Sequence, residues 1–191
     1  MLVSGGSDSI SCCHWLKTKY RANFEAVHFN HNVQIKNLEM EESVRQFCEE
    51  LSIPLTIIKR GEELPDFSEN TLRQWRIKML EGSNKSYVTA HHLNDCVENY
   101  LMNCFHGVPE YMPIKWSTQF DGFSIHHPFL KIKKANILEY LKNNNLENFV
   151  VDDPTNYDVK YKRNWIRNMI VPQIESKRLG IEKIVLKKFY K

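Results

Sequence analysis

Apolar and polar residues follow two different patterns along the first 105 residues of the chain. Four short apolar runs are typical of β-strands, at residues 1–3, 26–29, 55–58 and 87–90. Between and after these runs, apolar side chains recur every three or four residues, which is typical of amphipathic helices. The predicted helices cover residues 10–20, 39–51, 70–81 and 93–105. The chain is therefore predicted to alternate strand and helix.

This alternation predicts an α/β domain in which a mostly parallel sheet carries helices on both faces. Parallel neighbours need crossover connections, and these are almost always right-handed. Because ligands of such sheets bind at the carboxyl ends of the strands, the segments that follow each strand are where we expect the chemistry.

The pattern changes in the second half of the chain. Residues 107–122 contain two prolines and are predicted to form a loop that reaches toward a partner. Residues 124–130 are predicted to form an edge strand, interrupted at Pro128. A helix over residues 137–146, a turn at 152–156 and a basic helix around residues 160–170 complete the chain.

The length of the chain and the distribution of its charge limit the possible domain organisation and the kind of partner. The 191 residues suit one compact domain, predicted as a catalytic part over residues 1–130 and a helical, basic extension over 131–191. Residues 1–114 hold 11 Lys and Arg against 15 Asp and Glu, a net charge of −4, whereas residues 115–191 hold 15 against 8, a net charge of +7. This asymmetry favours a polyanionic partner, with solvated surface lysines as the alternative.

Two further features indicate the compartment. The chain has no long uncharged apolar run and no secretory signal pattern, so we expect a cytoplasmic protein without a membrane partner. Its five cysteines form no C-x-x-C pair and are expected to be reduced thiols.

Residues 4–9, here called the glycine loop, lie between the first predicted strand and the first helix. Two glycines allow the backbone to approach a ligand, and the hydroxyls and free N–H groups at a helix start suit phosphate. A carboxylate at Asp8 would repel phosphate unless a divalent cation lies between them, so we expect Mg²⁺ there. An ordinary capped turn is the alternative interpretation.

The glycine loop resembles the SGGxDS loop of the PP-loop ATP pyrophosphatases, and narrower motifs follow in order. They are His28-Phe29-Asn30-His31, Arg73-x-x-Arg76, Ala90-His91-His92-Leu93-Asn94-Asp95-x-x-Glu98, and Asp153-Pro154-Thr155-Asn156-x-Asp158-x-x-Tyr161-x-Arg163-Asn164-x-Ile166-Arg167. Together they resemble the N-terminal catalytic domain of the tRNA(Ile)-lysidine synthetases. That family uses ATP to adenylate the wobble cytidine of a tRNA(Ile) with a CAU anticodon, and the amine of free L-lysine then displaces AMP.

The resemblance implies roles for residues at matching positions. It implies catalytic roles for Asp8, Arg73, His91 and Asp95. It implies ATP contacts, with Mg²⁺ at Asp8, for Ser4, Gly5, Gly6, Ser7, Asp8, Ser9, His28 and Asn30. It implies lysine or tRNA contacts for Asp95, Glu98, Arg76, Arg163, Asn164 and Arg167. Asp95 and Glu98 are three residues apart on one helical face, away from the apolar stripe, which suits a receptor for an ammonium group.

Several departures keep other interpretations open. The first strand is short, Leu72 and Ile77 replace the residues usual around the arginine pair, and the sequence stops before any further tRNA-gripping domain, so a homodimer or a partner is one expectation. A PP-loop tRNA thiolase and a tRNA-binding module without catalysis are the alternatives. For Asp95 and Glu98 the alternative is a solvated acidic helix start. His92 is interpreted as structural, and His126 and His127 are given no role.

Overall fold

The computed structural model describes residues 1–32, 36–61, 66, 68–110, 114–152 and 154–189. Within these ranges the strands are β1 (Ala26–Asn30), β2 (Leu55–Lys59), β3 (Lys85–Val88), β4 (Ser117–Phe120) and β5 (Phe123–His126). The helices are α1 (Ser7–Thr18), α2 (Lys36–Glu50), α3 (Glu69–Leu80), α4 (Leu93–Phe105), α5 (Lys134–Asn143), α6 (Lys162–Trp165), α7 (Val171–Ser176) and α8 (Ile181–Lys188). Short 3₁₀ turns cover Glu147–Phe149 and Pro154–Tyr157, and a π-helical turn, Ile166–Ile170, joins α6 to α7.

Residues 1–3 connect two groups of strands. Strand β1 pairs with β2 in parallel, while β5 pairs in parallel with β3 and antiparallel with β4. The N–H of Leu2 donates to the carbonyl of Val88 at 2.8 Å, and the N–H of Val3 donates to the carbonyl of Val27 at 2.9 Å. The predicted first strand is therefore very short, but it lies between β1 and β3 at the centre of the fold.

Helices cover both faces of the sheet, as predicted. On β1, Val27 and Phe29 point to one face and pack with Trp75 of α3. Ala26 points to the other face, where the core includes Ile10 of α1 and Phe47 of α2. This alternation follows from the period of two of a β-strand.

The second half of the chain is built onto this core. Leu141 of α5 is buried in the same cluster as α1 and α2. Val97 of α4 packs with Ile166 and with Val185 of α8 in a separate cluster. Residues on both sides of position 130 thus share one core, and the division into 1–130 and 131–191 stays a prediction.

The sequence was misread around residues 107–130. Strand β4 lies inside the segment predicted to be a loop, and β5 is an internal strand with neighbours on both sides, not an edge strand. The edge is β4, whose sequence Ser-Thr-Gln-Phe is polar and only partly buried. Edge strands need little apolar surface, so their pattern is weak in sequence. The sheet is consequently mixed at this edge and parallel elsewhere.

Two other expectations concern the chain as a whole. Cys12, Cys13, Cys48 and Cys96 are buried, Cys104 is partly buried, and all five are free thiols. Among the described residues, no helix is both long and apolar enough to cross a membrane.

We expect Gly122→Ala to destabilise the protein by about 2–5 kcal/mol, because two penalties add. Gly122 has φ +71°, a conformation that costs other residues roughly 1–2 kcal/mol, and an added Cβ would lie 2.8 Å from Gly82 Cα. Crowding of this kind typically costs a further ~1–3 kcal/mol. Gly107→Ala is the matched control, because Gly107 has φ +74° but open space around its Cβ position. Equal losses for the two variants in urea unfolding would contradict this account.

Candidate functional site

The glycine loop is held in shape by its own hydroxyl groups. Gly5 has φ +89°, and a Cβ there would meet the carbonyl oxygen of Met40 at 3.4 Å, so the position favours glycine. The hydroxyl of Ser9 accepts the N–H of Ser4 at 3.1 Å and donates to the carbonyl of Gly6 at 3.0 Å. The loop therefore leads directly into α1, whose first-turn N–H groups have no intrahelical partner and suit an anion.

Asp8 lies on the first turn of α1 between two basic side chains. Its Oδ1 is 2.6 Å from Lys134 Nζ, which also donates to Ser7 Oγ at 2.7 Å. Its Oδ2 is 3.6 Å from His92 Nε2. Burial alone would raise the pKa of Asp8, but His92 and Lys134 lower it to about 2. Asp8 is thus ionised at neutral pH.

The donor set around Asp8 limits the kind of metal site that can form. The described residues contain no cluster of three or more His, Cys, Asp or Glu able to hold a metal ion among themselves. Mg²⁺ commonly uses one or two carboxylates together with substrate phosphates and water. An ionised Asp8 beside an anion-binding loop fits such a shared ion, and its Mg²⁺ contact stays a prediction.

His92 connects the glycine loop to the start of α4. The side chain of Asp95 accepts the N–H of His92 at 2.9 Å and so caps the helix. His92 Nε2 lies 3.6 Å from Asp95 Oδ2 as well as 3.6 Å from Asp8 Oδ2. Burial alone would raise the pKa of Asp95, but His92 and His91 hold it below its ordinary value. No pattern in the sequence distinguishes this linking role of His92 from that of a merely structural histidine.

The acidic pair on α4 is engaged by two arginines from the segment around α6. Glu98 is only 2% exposed, and its Oε1 accepts Arg167 Nε at 2.6 Å while its Oε2 accepts Arg163 Nε and Arg167 Nη2, both at 2.9 Å. Asp95 Oδ1 is farther away, at 3.4 Å from Arg163 Nη2 and 3.6 Å from Arg167 Nη2. Neither carboxylate points into bulk solvent, so the alternative of a solvated acidic helix start does not describe them.

Asn164 lies between these arginines in sequence, but its side chain contacts the turn before α6 and not the acidic pair. Its Nδ2 donates to the carbonyls of Thr155 at 2.7 Å and Asp158 at 3.1 Å, which fixes the turn before α6. The three residues predicted to contact substrate in this motif therefore contact protein atoms here, and their substrate contacts stay predictions. Exposed basic groups of the same segment are Lys160 and Lys162.

A second histidine pair forms where β3 and β5 end. His91 Nδ1 lies 2.9 Å from Thr89 Oγ1, which lies 2.6 Å from His127 Nδ1, and the two imidazole rings are 4.9 Å apart. Burial, with the neighbouring His91 and the exposed Arg73, lowers the pKa of His127 to about 4. Burial also lowers the pKa of His91. Both rings are therefore neutral at pH 7.

His127 and Lys134 are the site residues that the sequence analysis missed. His127 follows directly after the end of β5, so a correct assignment of that strand would have identified it. Lys134 belongs to a run of basic residues and carries no sequence signal that distinguishes it from a surface lysine.

The residues at the carboxyl end of β1 are more enclosed than expected. His28 is 3% exposed and its Nδ1 donates to the carbonyl of Val3 at 2.8 Å. Asn30 is 1% exposed and its Nδ2 donates to Glu41 Oε2 at 2.6 Å. Both side chains thus stabilise the strand and α2, and their contacts with ATP stay predictions.

Arg76 contacts the end of the same strand from α3. Its Nη1 lies 3.0 Å from His31 Nε2. Burial, and then Arg76, lowers the pKa of His31 to about 4, so His31 is neutral and can accept the guanidinium hydrogen. The arginine pair is therefore divided, because Arg76 is held against His31 while Arg73 is exposed.

Comparisons with known proteins find relatives over most of this chain. The tRNA(Ile)-lysidine synthase of Aster yellows witches'-broom phytoplasma is 27% identical over 188 residues, covering 95% of this chain and 42% of the relative. The enzyme of that name from Mycoplasma mycoides is 29% identical over 176 residues, covering 86% of this chain and 43% of the relative. The bifunctional protein TilS/HprT of Listeria innocua is 33% identical over 189 residues, covering 89% of this chain and 28% of the relative. The chain thus spans less than half the length of these relatives.

Comparison with solved structures supports the fold of the chain and nothing beyond the fold. The U34-tRNA thiolase NcsA from Methanococcus maripaludis, solved with its [4Fe-4S] cluster, superposes with a TM-score of 0.79 at 18% identity, covering 100% of this chain and 69% of the thiolase chain.

The predicted resemblance of the glycine loop is confirmed at the level of the family. The PP-loop domain matches residues 1–174, which include the loop, the acidic pair of α4 and both arginines of the α6 segment. This chain belongs to the PP-loop domain family, and its relatives include many proteins named tRNA(Ile)-lysidine synthase.

Proposed function

We propose that this domain catalyses the ATP-dependent addition of free L-lysine to C2 of the wobble cytidine in a tRNA(Ile) with a CAU anticodon. ATP first adenylates the base and releases pyrophosphate, and the lysine amine then displaces AMP. The observation that carries the proposal is the link through His92, which lies 3.6 Å from Asp8 of the glycine loop and 3.6 Å from Asp95 of the acidic pair. A nucleotide site and a receptor for a cation thus share one histidine.

The adenylation step needs groups that hold phosphate and neutralise its charge. The glycine loop offers N–H groups and hydroxyls, and Lys134 brings a positive charge to Ser7 and Asp8. Mg²⁺ bound by Asp8 and the phosphates would neutralise negative charge as pyrophosphate leaves. Because its pKa is lowered to about 2, Asp8 is ionised for this role at neutral pH.

The lysine step needs a receptor for an ammonium group. Glu98 already accepts three short hydrogen bonds from arginines, whereas Asp95 Oδ1 has its arginine neighbours at 3.4 Å and 3.6 Å. We therefore assign the lysine ammonium to Asp95, and we assign to Glu98 the positioning of the two arginines. The attacking amine must also lose a proton, and the neutral imidazole of His91 is a better acceptor than a carboxylate whose pKa is lowered.

The tRNA and the compartment form part of the same proposal. The net charge of +7 on residues 115–191 suits a polyanion. This chain matches less than half the length of its relatives, and the part of them that it does not match is one source of further tRNA contacts. A second copy of the chain is another source of such contacts. ATP, free lysine and tRNA meet in the cytoplasm, where we expect the reaction.

A thiolase function is less well supported. The thiolase neighbour shares the fold at 18% identity, and its structure was solved with a [4Fe-4S] cluster. Such clusters are held by cysteine thiolates. Four of the five cysteines of this chain are buried apolar residues, and burial raises the pKa of Cys12 and Cys96 to about 12. The thiols therefore suit packing better than cluster binding.

The test of the proposal is ATP-dependent incorporation of labelled lysine into tRNA(Ile) bearing a CAU anticodon. We expect one lysine per tRNA, with pyrophosphate and AMP as products. ATP cleavage without lysine in the tRNA would favour another acceptor, and tRNA binding without ATP cleavage would favour a binding module.

We expect Asp8→Asn to reduce pyrophosphate release by about 100- to 1,000-fold, because the variant removes the charge that holds the cation while keeping the side-chain shape. Release of labelled pyrophosphate from ATP in the presence of tRNA measures this step. Glu25→Gln is the matched control, since Glu25 also pairs with a lysine, Lys85 at 3.2 Å, but lies before β1 at the opposite edge of the sheet. Equal activities of the two variants would exclude the role given to Asp8.

Asp95→Asn should raise the lysine KM by roughly 10- to 100-fold, the value of a hydrogen bond between charged groups. Asparagine can still accept the N–H of His92, so the helix cap is kept. Pyrophosphate release should change by less than about threefold, because adenylation does not use this carboxylate. A lysine KM that stays at the wild-type value would show that Asp95 is not the receptor.

Because Glu98 is assigned the positioning of two arginines, we expect its replacement to lower the free energy of unfolding. Glu98→Ala leaves Arg163 and Arg167 without their buried partner, and breaking such a pair typically costs ~3–5 kcal/mol. Glu69→Ala is the control, because Glu69 pairs with the same Arg163 at 3.4 Å but is 78% exposed, and its loss should cost no more than about 1 kcal/mol. Urea unfolding compares the two, and similar losses would refute the assignment.

A further inference from the structure

An apolar cleft lies between the carboxyl-terminal end of α4 and the segment of α6. Its volume is about 270 Å³, and it is lined by Met102, Phe105, His106, Lys162, Trp165 and Ile166. Phe105 is 60% exposed and Trp165 is 41% exposed, and their rings are 6.4 Å apart with planes tilted by 43°. Exposed apolar patches with polar residues at their rim often mark a binding site.

The lining suits a nucleobase. Unpaired bases are bound by stacking on aromatic side chains, with basic groups nearby for the backbone phosphate. Phe105 and Trp165 provide the aromatic faces, while the exposed Lys162 and His106 provide the polar groups at the rim. The volume is slightly below the ~300–1,000 Å³ of pockets for drug-sized ligands, which suits one base and not a larger molecule.

The cleft is separate from the site at the start of α4. Asp95 and Phe105 lie ten residues apart on the same helix, and a rise of 1.5 Å per residue places them about 15 Å apart. This distance corresponds to roughly four stacked nucleotides at ~3.4 Å each. A base in the cleft is therefore not the reacting base but one a few nucleotides away in the same strand.

We propose that the cleft between Phe105 and Trp165 binds a second, non-reacting base of the anticodon loop and so sets the register of the wobble cytidine at the active site. The identity of the RNA rests on the proposed function. The alternative occupant is a second copy of this chain. Like-charged patches would then face each other, because Lys162 lines the cleft and residues 115–191, to which α6 belongs, carry a net charge of +7.

The test is a coupling measurement between protein and RNA. The probes are anticodon stem-loop RNAs with a CAU anticodon, each with one loop nucleotide replaced by an abasic one, and binding is measured without ATP or lysine. We expect Trp165→Ala to weaken binding of the intact RNA by roughly 5- to 150-fold, the value of one stacked base. For the RNA that lacks one particular base, other than the wobble base, Trp165→Ala should weaken binding no further, because the base that Trp165 contacts is already absent.

Control variants separate this result from misfolding. Trp116→Ala removes a tryptophan that is also 41% exposed and also lies beside a phenylalanine, Phe189 at 5.8 Å, and it should leave binding within about twofold. Trp165→Phe should restore most of the affinity, since it keeps an aromatic face. A drop of Trp165→Ala in thermal stability without the coupling would indicate a packing role and overturn the proposal.

The remaining outcomes are also decisive. The base-binding role is overturned if the losses of binding free energy from Trp165→Ala and from the abasic nucleotide are additive at every position. It is also overturned if the wild-type chain is a dimer that Trp165→Ala converts to a monomer. The proposed function fails separately, if the chain incorporates no lysine. In that case a coupled abasic position would still support an RNA-binding cleft.

Discussion

The position of residues 1–3 determines the geometry of the whole site. These residues form hydrogen bonds to Val27 on one side and Val88 on the other, and so they bring β1 and β3 together. The glycine loop must then begin between the ends of these two strands. Because parallel strands end at the same edge, His91 and His92 after β3 come close to the loop that follows Val3. A strand of minimal length is sufficient because both of its neighbours bond to it.

The second organising feature is the buried charge network between α4 and the segment of α6. Taking Glu98 out of water is costly unless its oxygens are fully hydrogen-bonded, and two arginines meet this requirement. The same contacts bring Arg167, which lies within the π-helical turn, against α4. Turns of this kind are rare and occur often at functional sites. The network therefore fixes the part of the site that α4 and the α6 segment form, and it places Trp165 beside Phe105.

Different parts of the fold were predictable to different degrees. The helices α1 to α4 were predictable because their apolar faces pack against the sheet over several turns, which produces a long periodic signal. Strand β4 was missed because its sequence Ser-Thr-Gln-Phe is polar and gives no apolar signal, and β5 was taken for an edge strand because its outer neighbour β4 was missed. The error also hid His127, since its role depends on β5 ending beside β3.

The sequence alone determined the α/β fold, the family and the segments that carry the chemistry, because backbone geometry and the glycine loop are local properties of the chain. Only the tertiary structure decided which groups meet. His92 links Asp8 to Asp95, Lys134 reaches the glycine loop from α5, and Arg163 and Arg167 occupy Glu98. These contacts join residues up to 127 positions apart. No local pattern encodes them, since each depends on how separate elements pack and on the need of buried charges for partners.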